Sequence, residues 1–258
     1  MDIHIHNYEK EKRSMGKVCF KIGILGGMGT YATIHMFKQY ADIFKAEKEW
    51  DRPRVIIDNR CTMPSRVKAY LYNENVGRLI DEMTESIQYL ISGGCKYIIL
   101  GCNTSHLFLP EIFKRCPETK KVVVNIIDIC VQQVKESHIK DIYLLASEGT
   151  IDSLIYQNAL EKIGIKCVVP KKEEYKVLRE CIESVKQNRY GNEIKEKFLD
   201  LVNRNKNCIL GCTELPVLYD MYKDSVVRKN IYDPVRLALE QLKKEYQENE
   251  QNFNIWSV

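Results

Sequence analysis

Two copies of one apolar hexapeptide constrain the fold of this chain most strongly. The run ILGCNT at residues 99–104 recurs as ILGCTE at residues 209–214, so that Cys212 follows Cys102 by 110 positions. In each copy an apolar segment is followed by Gly, Cys and small polar residues. We therefore expect two buried strands, each followed by a cysteine, that place two thiols on opposite sides of one small molecule.

Two further pairs of segments extend this repeat. KIGILGGMGT (residues 21–30) and DIYLLASEGT (residues 141–150) are 120 positions apart, and RVIID (residues 54–58) and KCVVP (residues 166–170) are 112 apart. Matches that keep one order at such long spacing indicate duplicated domains, because the repeats of a solenoid recur about every 20–50 residues. Chance similarity between the strand ends of an α/β protein is the alternative, and the agreement in order and spacing favours duplication.

Short β-like runs alternate with longer segments of helical periodicity. The run VVVNII at residues 122–127 predicts one of these strands, and residues 76–92 predict a helix that ends at Gly93–Gly94. An earlier helix is predicted from apolar residues at helical spacing, namely Ile34, Phe37, Tyr40, Ala41 and Phe44. Strands that are apolar throughout and alternate with helices predict an α/β fold with mostly parallel strands, covered by helices on both faces.

Composition excludes several classes of function. The 258 residues carry a net charge of +4 with basic residues spread along the chain, which predicts no nucleic-acid partner and no membrane partner. No apolar run approaches the roughly 20 residues that span a bilayer. Residues 1–17 are polar and lack the apolar core of a signal peptide, so we predict a disordered extension and a cytoplasmic protein.

The ten cysteines are not spaced as CxxC pairs. The usual sequence signals of a zinc site and of a redox dithiol are therefore missing. Most of the cysteines stand in apolar segments, where a thiol packs as a small apolar group. We predict neither a metal nor a cofactor.

The glycine-rich segment GGMGT follows the first predicted strand. Its glycines at 26, 27 and 29 do not have the G-x-G-x-x-G spacing of a dinucleotide loop, and no Walker lysine follows. Such a loop lets the backbone approach a small anion at a helix N-terminus. A tight turn that binds nothing is the alternative.

Each repeated cysteine precedes polar residues that can act on a thiol. Asn103 and Thr104 follow Cys102, and donors of this kind at a strand-to-helix turn lower the pKa of a thiol and favour the reactive thiolate. An inert buried cysteine is the alternative for a single copy. Two equivalent copies favour a paired thiol site.

Several motifs together resemble the aspartate/glutamate racemase family. They are GGMGT, an Asn-x₄-Pro-x-Arg pattern ending at Arg66, GCNTSH, SEGT and GCTELP, and the likeness extends over residues 21–242. Glu214 stands where the glutamate racemases of cell-wall synthesis typically carry His, so the chain resembles the aspartate branch. The resemblance implies two pseudo-symmetric α/β domains with the active site in the cleft between them. We expect one domain to comprise residues 18–119 and 226–258, and the other residues 120–225.

The resemblance also implies roles for individual residues. Cys102 and Cys212 match the two catalytic thiols. Arg66 matches an arginine that binds the side-chain carboxylate of the substrate, and Lys186 matches a lysine of substrate recognition. The remaining residues expected to bind substrate, several of them around its α-carboxylate, are Gly27, Met28, Asn59, Asn103, Thr104, Thr150, Thr213 and Glu214.

The expected function is a pyridoxal-phosphate-independent interconversion of L- and D-aspartate, with glutamate as a second candidate substrate, by a homodimer. An isomerase or decarboxylase of the same superfamily and an inactive anion-binding relative are the alternatives. Two departures from the family pattern bear on the substrate. They are the extra Arg60 and Cys61 in the first motif, and Ser147 and Glu148 in the SEGT turn, where the family usually has threonines.

Overall fold

The computed structural model describes residues 20–227 and 230–255. Within these ranges eight strands form two sheets of four, and every neighbouring pair of strands is parallel. The first sheet has the order β2-β1-β3-β4, with β1 Lys21–Gly26, β2 Arg54–Asn59, β3 Tyr97–Leu100 and β4 Val123–Val124. The second has the order β6-β5-β7-β8, with β5 Asp141–Ala146, β6 Lys166–Val168, β7 Asn207–Gly211 and β8 Asn230–Tyr232. The two orders are the same, which confirms the predicted pseudo-symmetric α/β fold.

Eleven α-helices are found in the described residues. Those of the first half of the chain are α1 Thr30–Ile43, α2 Arg66–Tyr72, α3 Val76–Ser92, α4 Leu109–Arg115 and α5 Ile126–Glu136. Those of the second half are α6 Glu148–Asp152, α7 Ile155–Glu161, α8 Tyr175–Lys186, α9 Asn192–Val202, α10 Leu215–Tyr222 and α11 Pro234–Ile255. None of the helices in these ranges is long and apolar enough to cross a membrane.

Two short strands lie on the other side of the predicted domain division. β4 falls in the range expected for the second domain but pairs with β3 of the first sheet. β8 falls in the range expected for the first domain but pairs with β7 of the second sheet. The domain limits stay a prediction, and the predicted extension of residues 1–17 lies outside the described residues.

The run VVVNII is not one strand, because Asn125 begins a helix inside it. The Asn125 side chain accepts hydrogen bonds from the backbone N–H groups of Ile127 and Asp128, at 3.1 and 3.3 Å. This capping satisfies two of the N–H groups that lack partners in the first turn of a helix. β4 therefore ends at Val124, and α5 begins at Ile126.

The apolar residues from which α1 was predicted do not all face the core. Ile34 and Phe37 are exposed, at 58% and 45%, whereas Ala32, Met36 and Tyr40 are buried. The helix carries apolar residues on both sides, so their spacing alone does not indicate which side meets the core. α1 packs against α11, and the buried side faces the core that is shared with it.

Register brings the motif-bearing turns to one edge of each sheet. Gly26 at the end of β1 pairs with Asn59 at the end of β2. In the second sheet, Ala146 pairs with Gly211, the residue before Cys212. The turns after these strands therefore lie at the carboxyl ends of the sheets, where α/β proteins bind ligands.

Candidate active site

Hydrogen bonds join the carboxyl edges of the two sheets. Thr213 donates its hydroxyl to the carbonyl of Gly101, at 3.1 Å, across 112 positions of chain. Thr104 makes hydroxyl contacts with Thr150, at 2.8 Å, and with Ser147, at 2.9 Å. The turns that carry the two repeated cysteines are thus held against each other. Three of the predicted site residues build this contact.

The thiol of Cys212 is bonded to a neighbouring carboxylate. Its Sγ–H donates to Oε2 of Glu214 at 2.9 Å. Burial raises the pKa of the Cys212 thiol well above its usual value, and the charge and hydrogen bond of Glu214 raise it further. Lys186 opposes this increase and Cys102 adds to it, so both groups lie within electrostatic reach of the Cys212 sulfur. The structure therefore brings together the two predicted catalytic thiols, Lys186 and Glu214.

Glu214 is a buried carboxylate, with 2% of its surface exposed. It lies directly before α10, and its Oε1 has no hydrogen-bond partner among the described residues. Oε1 occupies the space that a Cβ at Gly29 would need. Gly29 has an extended backbone, so the carboxylate, and not a backbone strain, requires glycine there.

Lys186 is the last residue of α8 and donates to Glu183 at 2.8 Å. Burial acts to lower the pKa of Lys186, but the attraction of Glu214 and the hydrogen bond to Glu183 raise it overall. The lysine is therefore cationic at neutral pH. It supplies the opposite charge that a buried carboxylate such as Glu214 needs.

The backbone carbonyl of Cys102 is fixed by two side chains that follow it. Ser105 donates its hydroxyl to this carbonyl at 2.6 Å, and Nδ1 of His106 lies 3.1 Å from the same oxygen. Burial lowers the pKa of His106 to about 4, although backbone hydrogen bonds act to raise it. The ring is neutral at pH 7, so Nδ1 carries the hydrogen that it donates to Cys102. Cys102 itself is half-buried.

Asn103 is bound from the second half of the molecule. The buried hydroxyl of Tyr156 donates to its Oδ1 at 2.6 Å. This bond fixes the amide so that Nδ2 is the free donor, and Nδ2 is buried without a partner in the described part of the chain. The side chain is thus oriented with one donor available for an anion.

The glycine-rich loop packs closely against the end of β2. Gly27 has φ of 78°, and a Cβ there would meet the backbone of Arg60, so only glycine fits. The Met28 side chain is buried in the apolar core of the first half of the chain, while its carbonyl accepts a hydrogen bond from Arg66. Asn59, at the end of β2, donates to Thr30 and Cys61 from an exposed position.

Arg66 begins α2 and is held by two carbonyls. Its guanidinium donates to Pro64 at 3.0 Å and to Met28 at 2.9 Å. Its Nε is buried and has no partner among the described residues. The guanidinium is therefore fixed in position with a donor left to bind an acceptor.

The charged residues of both departures from the family pattern, Arg60 and Glu148, have partners outside the thiol site. Arg60 is directed toward α3, where it donates to the carbonyl of Glu82 and to the carboxylate of Glu85. Glu148 forms an ion pair with Arg179 of α8. The charges of Arg60 and Glu148 are thus balanced locally.

Some residues of the site were not predicted from the sequence. Tyr156 lies 53 positions from its partner Asn103, and no local pattern signals that contact. Ser105 and His106 belong to the quoted GCNTSH motif, and their polar character was the signal that could have identified them. Glu183 stands one helical turn before Lys186, and this i, i+3 spacing indicates the ion pair.

Comparison with known proteins supports the resemblance to racemases over nearly the whole chain. The model of the Asp/Glu/Hydantoin racemase family matches residues 25–242. The structure resembles that of Picrophilus torridus aspartate racemase, with a TM-score of 0.76 and 26% identity, over 88% of this chain and 94% of that one. It also has the fold of glutamate racemase from Francisella tularensis subsp. tularensis SCHU S4, with a TM-score of 0.62 and 18% identity, over 89% and 81%.

Among curated proteins, the broad specificity amino-acid racemase RacX of Bacillus subtilis (strain 168) is 24% identical over 215 residues, or 80% of this chain and 90% of RacX. The glutamate racemase of Clostridium perfringens (strain SM101 / Type A) is 27% identical over 69% of this chain and 70% of that protein. Both cysteines of the site lie inside the range that the family model matches. From its sequence, its two matched sheets and its paired thiols, this chain belongs to the Asp/Glu/Hydantoin racemase family.

Proposed function

We propose that this chain interconverts L- and D-aspartate without a cofactor, with one of Cys102 and Cys212 taking the α-proton as a thiolate and the other giving its own proton as a thiol. The observation that carries the proposal is the pair of thiols at matched strand ends, on turns that are bonded to each other. Racemisation needs a base on one face of the α-carbon and an acid on the other. Two thiols on facing turns supply one of each.

The unpartnered buried atoms of the site support an amino acid as the ligand. Arg66 Nε and Asn103 Nδ2 are donors that need acceptors, and Glu214 Oε1 is an acceptor that needs a donor. Buried polar groups are normally hydrogen-bonded, so each of these atoms calls for a partner. The carboxylates of an amino acid suit the two donors, and its ammonium group suits the glutamate oxygen.

The proton transfers balance within the site. The thiolate of one cysteine takes the α-proton, and the electron pair left on the α-carbon spreads into the α-carboxylate. Donors around that carboxylate, among them Asn103, stabilise the developing charge. The thiol of the other cysteine then gives its proton to the opposite face of the same carbon. Exchange with water restores the starting protonation after the product leaves.

Arg66 and the relatives support an acidic substrate. A guanidinium held by two backbone carbonyls is a fixed donor for the side-chain carboxylate of the substrate. The relatives include an aspartate racemase, glutamate racemases and a broad specificity amino-acid racemase. We choose aspartate because Glu214 follows the second Cys-Thr, as in the aspartate branch that the sequence resembles.

Exchange of the α-hydrogen in D₂O tests the proposal. L-aspartate, D-aspartate, L-glutamate and L-alanine are each incubated with the protein, and deuterium at the α-carbon and the amount of each enantiomer are measured. We expect exchange and racemisation of aspartate, with less of glutamate and none of alanine. Racemisation of alanine at the rate of aspartate would contradict the acidic specificity. Release of CO₂ would indicate a decarboxylase of the same superfamily. Absence of all of these reactions would indicate the inactive anion-binding relative.

Several sequence predictions accompany this proposal. A cytoplasmic location, a homodimer and a reaction without a metal follow from the sequence and the resemblance. Measurement of the mass in solution would test the homodimer. Activity that survives dialysis against EDTA, and treatment with carbonyl reagents that trap pyridoxal phosphate, would support the cofactor-independent mechanism.

A further inference from the structure

The two thiols have different surroundings, although their strands match. Cys212 Sγ lies 2.9 Å from a carboxylate oxygen of Glu214. At the position that corresponds to Glu214 in the first half stands Thr104, which makes its contacts with Ser147 and Thr150 instead. A thiol that donates to a carboxylate must keep its proton for the bond to persist. Racemisation needs one thiol and one thiolate, and the bond to Glu214 distinguishes Cys212 from Cys102.

We propose that Glu214 holds the proton on Cys212, so that in the free protein Cys212 is the acid and Cys102 the base. This assignment rests on the proposed racemase function. Glu214 acts through Cys212, and it is a positioning residue because it orients the thiol proton of Cys212. The role deepens the substrate-binding role that the sequence suggests, because Oε2 serves the thiol and Oε1 is left for the ligand.

The charges around Cys212 support the assignment. The groups that act on its sulfur are Glu214 at the start of α10, Lys186 at the end of α8 and Cys102 after β3. Glu214 and Cys102 disfavour a negative charge on Cys212, and Lys186 favours it. The charge of Glu214 raises the pKa of the Cys212 thiol more than Lys186 lowers it, so the lysine does not cancel the carboxylate.

The position of the carboxylate is enforced by its surroundings. Oε1 fits into the space over Gly29, and Thr213 Oγ1 lies 3.5 Å from Oε2. Thr213 is in turn fixed to Gly101 in the other half. The Glu214 carboxylate therefore has little freedom to move away from the Cys212 sulfur, and the turn itself fixes this pair.

Alkylation of the free protein by iodoacetamide tests the proposal, because only the thiolate reacts. Rates at Cys102 and Cys212 are read separately by peptide mass mapping over a range of pH. In Glu214→Gln, which keeps the shape and removes the charge, we expect the midpoint of the Cys212 profile to fall by about one pH unit or more, the size of effect that a nearby charge has. The Cys102 profile should stay near its wild-type position.

Matched variants keep the test decisive. Glu148→Gln removes a carboxylate that is paired with Arg179 and should leave both profiles unchanged. Gly29→Ala puts a Cβ in the space of Oε1 and displaces the carboxylate, so it should lower the Cys212 midpoint without removing Glu214. This second variant serves if Glu214→Gln does not fold. A Cys212 midpoint that stays unchanged in the folded variants would overturn the proposal.

The pH profile of kcat/KM adds a readout that a purely structural role would not move. In a two-base mechanism its high-pH limb reports loss of the proton from the acid in the free protein. Glu214→Gln should move that limb to lower pH, and Glu148→Gln should not. Alkylation needs no substrate, so a shifted Cys212 midpoint in a protein that does not exchange the α-hydrogen of aspartate would refute the proposed function alone.

Discussion

The two halves of the molecule share one strand order and differ in the chemistry of the turns that follow their central strands. After β3, Thr104 and its neighbour Asn103 make contacts with residues of the second half. After β7, the residues at the matching positions are Glu214 and Thr213, and Glu214 turns back onto its own cysteine. A duplicated fold therefore does not produce a chemically symmetric site. The residues directly after each repeated cysteine determine how the two turns differ.

The largest expected effect comes from removing either thiol. Cys102→Ser and Cys212→Ser should each lower the rate of aspartate racemisation by about 10²–10⁴-fold, the usual contribution of one acid or base, because a serine hydroxyl does not ionise at neutral pH. Chiral chromatography of the product measures the rate, and thermal unfolding checks the fold. Cys116→Ser, a half-buried cysteine in contact with Gln88, is the control and should be fully active. A near-normal rate in either site variant would mean that the halves are not partners in catalysis.

Arg66→Ala is expected to have the next largest effect. Loss of charge-assisted bonds to a substrate carboxylate costs about 1.5–3 kcal/mol, which lowers kcat/KM for aspartate by roughly 10–100-fold. Arg66→Lys should restore little, since lysine lacks the planar fork of donors. Arg60→Ala is the matched control, because that side chain binds α3 instead. If the two alanine variants have equal kcat/KM, the first half does not bind the acidic side chain through Arg66.

The buried histidine after β3 should give the first half an acid sensitivity that the matching position of the second half lacks. The pKa of His106 is lowered by burial to about 4 from its usual 6.5, so the unfolded chain binds the proton more tightly. The stability from this group is complete above pH 6.5 and is lost as the pH falls toward 4, by about 3 kcal/mol in total. The matching residue of the second half is Pro216, which cannot titrate.

Urea unfolding of the wild type and of His106→Gln between pH 4 and 8 measures this effect. The wild type should lose more free energy of unfolding than the variant as the pH falls. Parallel curves for the two proteins would show that His106 is not the group that titrates.

The smallest effect is expected at the bridge between the halves. Thr104→Val removes a buried hydroxyl that contacts Ser147 and Thr150, which should lower the free energy of unfolding by about 1–2 kcal/mol. Thr62→Val is the control, since that hydroxyl binds Glu82 at the surface and should cost less than about 0.5 kcal/mol. Equal stability of the two variants would mean that the bridge contributes nothing.

Much of the fold could be predicted from the sequence, because apolar strands and a duplicated order leave few arrangements. The helix at residues 76–92 has the bounds that its periodicity predicts. The short strand β8 was missed, since its three residues lie in a polar segment with no alternation. α5 was missed because a β-branched run hides the capping role of Asn125. Both misses concern short segments whose structure depends on contacts that a pattern does not encode.

The site was predictable to the extent that its residues repeat or belong to a motif. A site at Cys102 and Cys212 was predicted from the duplication, and the two thiols lie within electrostatic reach of each other. The bond between Cys212 and Glu214 was not predicted, because adjacency in sequence does not indicate the rotamer of a side chain. The contact of Tyr156 with Asn103 depends on the docking of the two halves, about which a local pattern carries no information.

The glycine at position 29 has a consequence for the evolution of such proteins. Its missing Cβ and the carboxylate of Glu214 occupy one space, although they come from opposite halves of the chain. A larger residue at 29 would be tolerated only with a shorter or differently placed side chain at 214. The two positions should therefore covary among relatives, and glycine at the first together with glutamate at the second would mark, from sequence alone, those members whose second thiol carries a carboxylate partner.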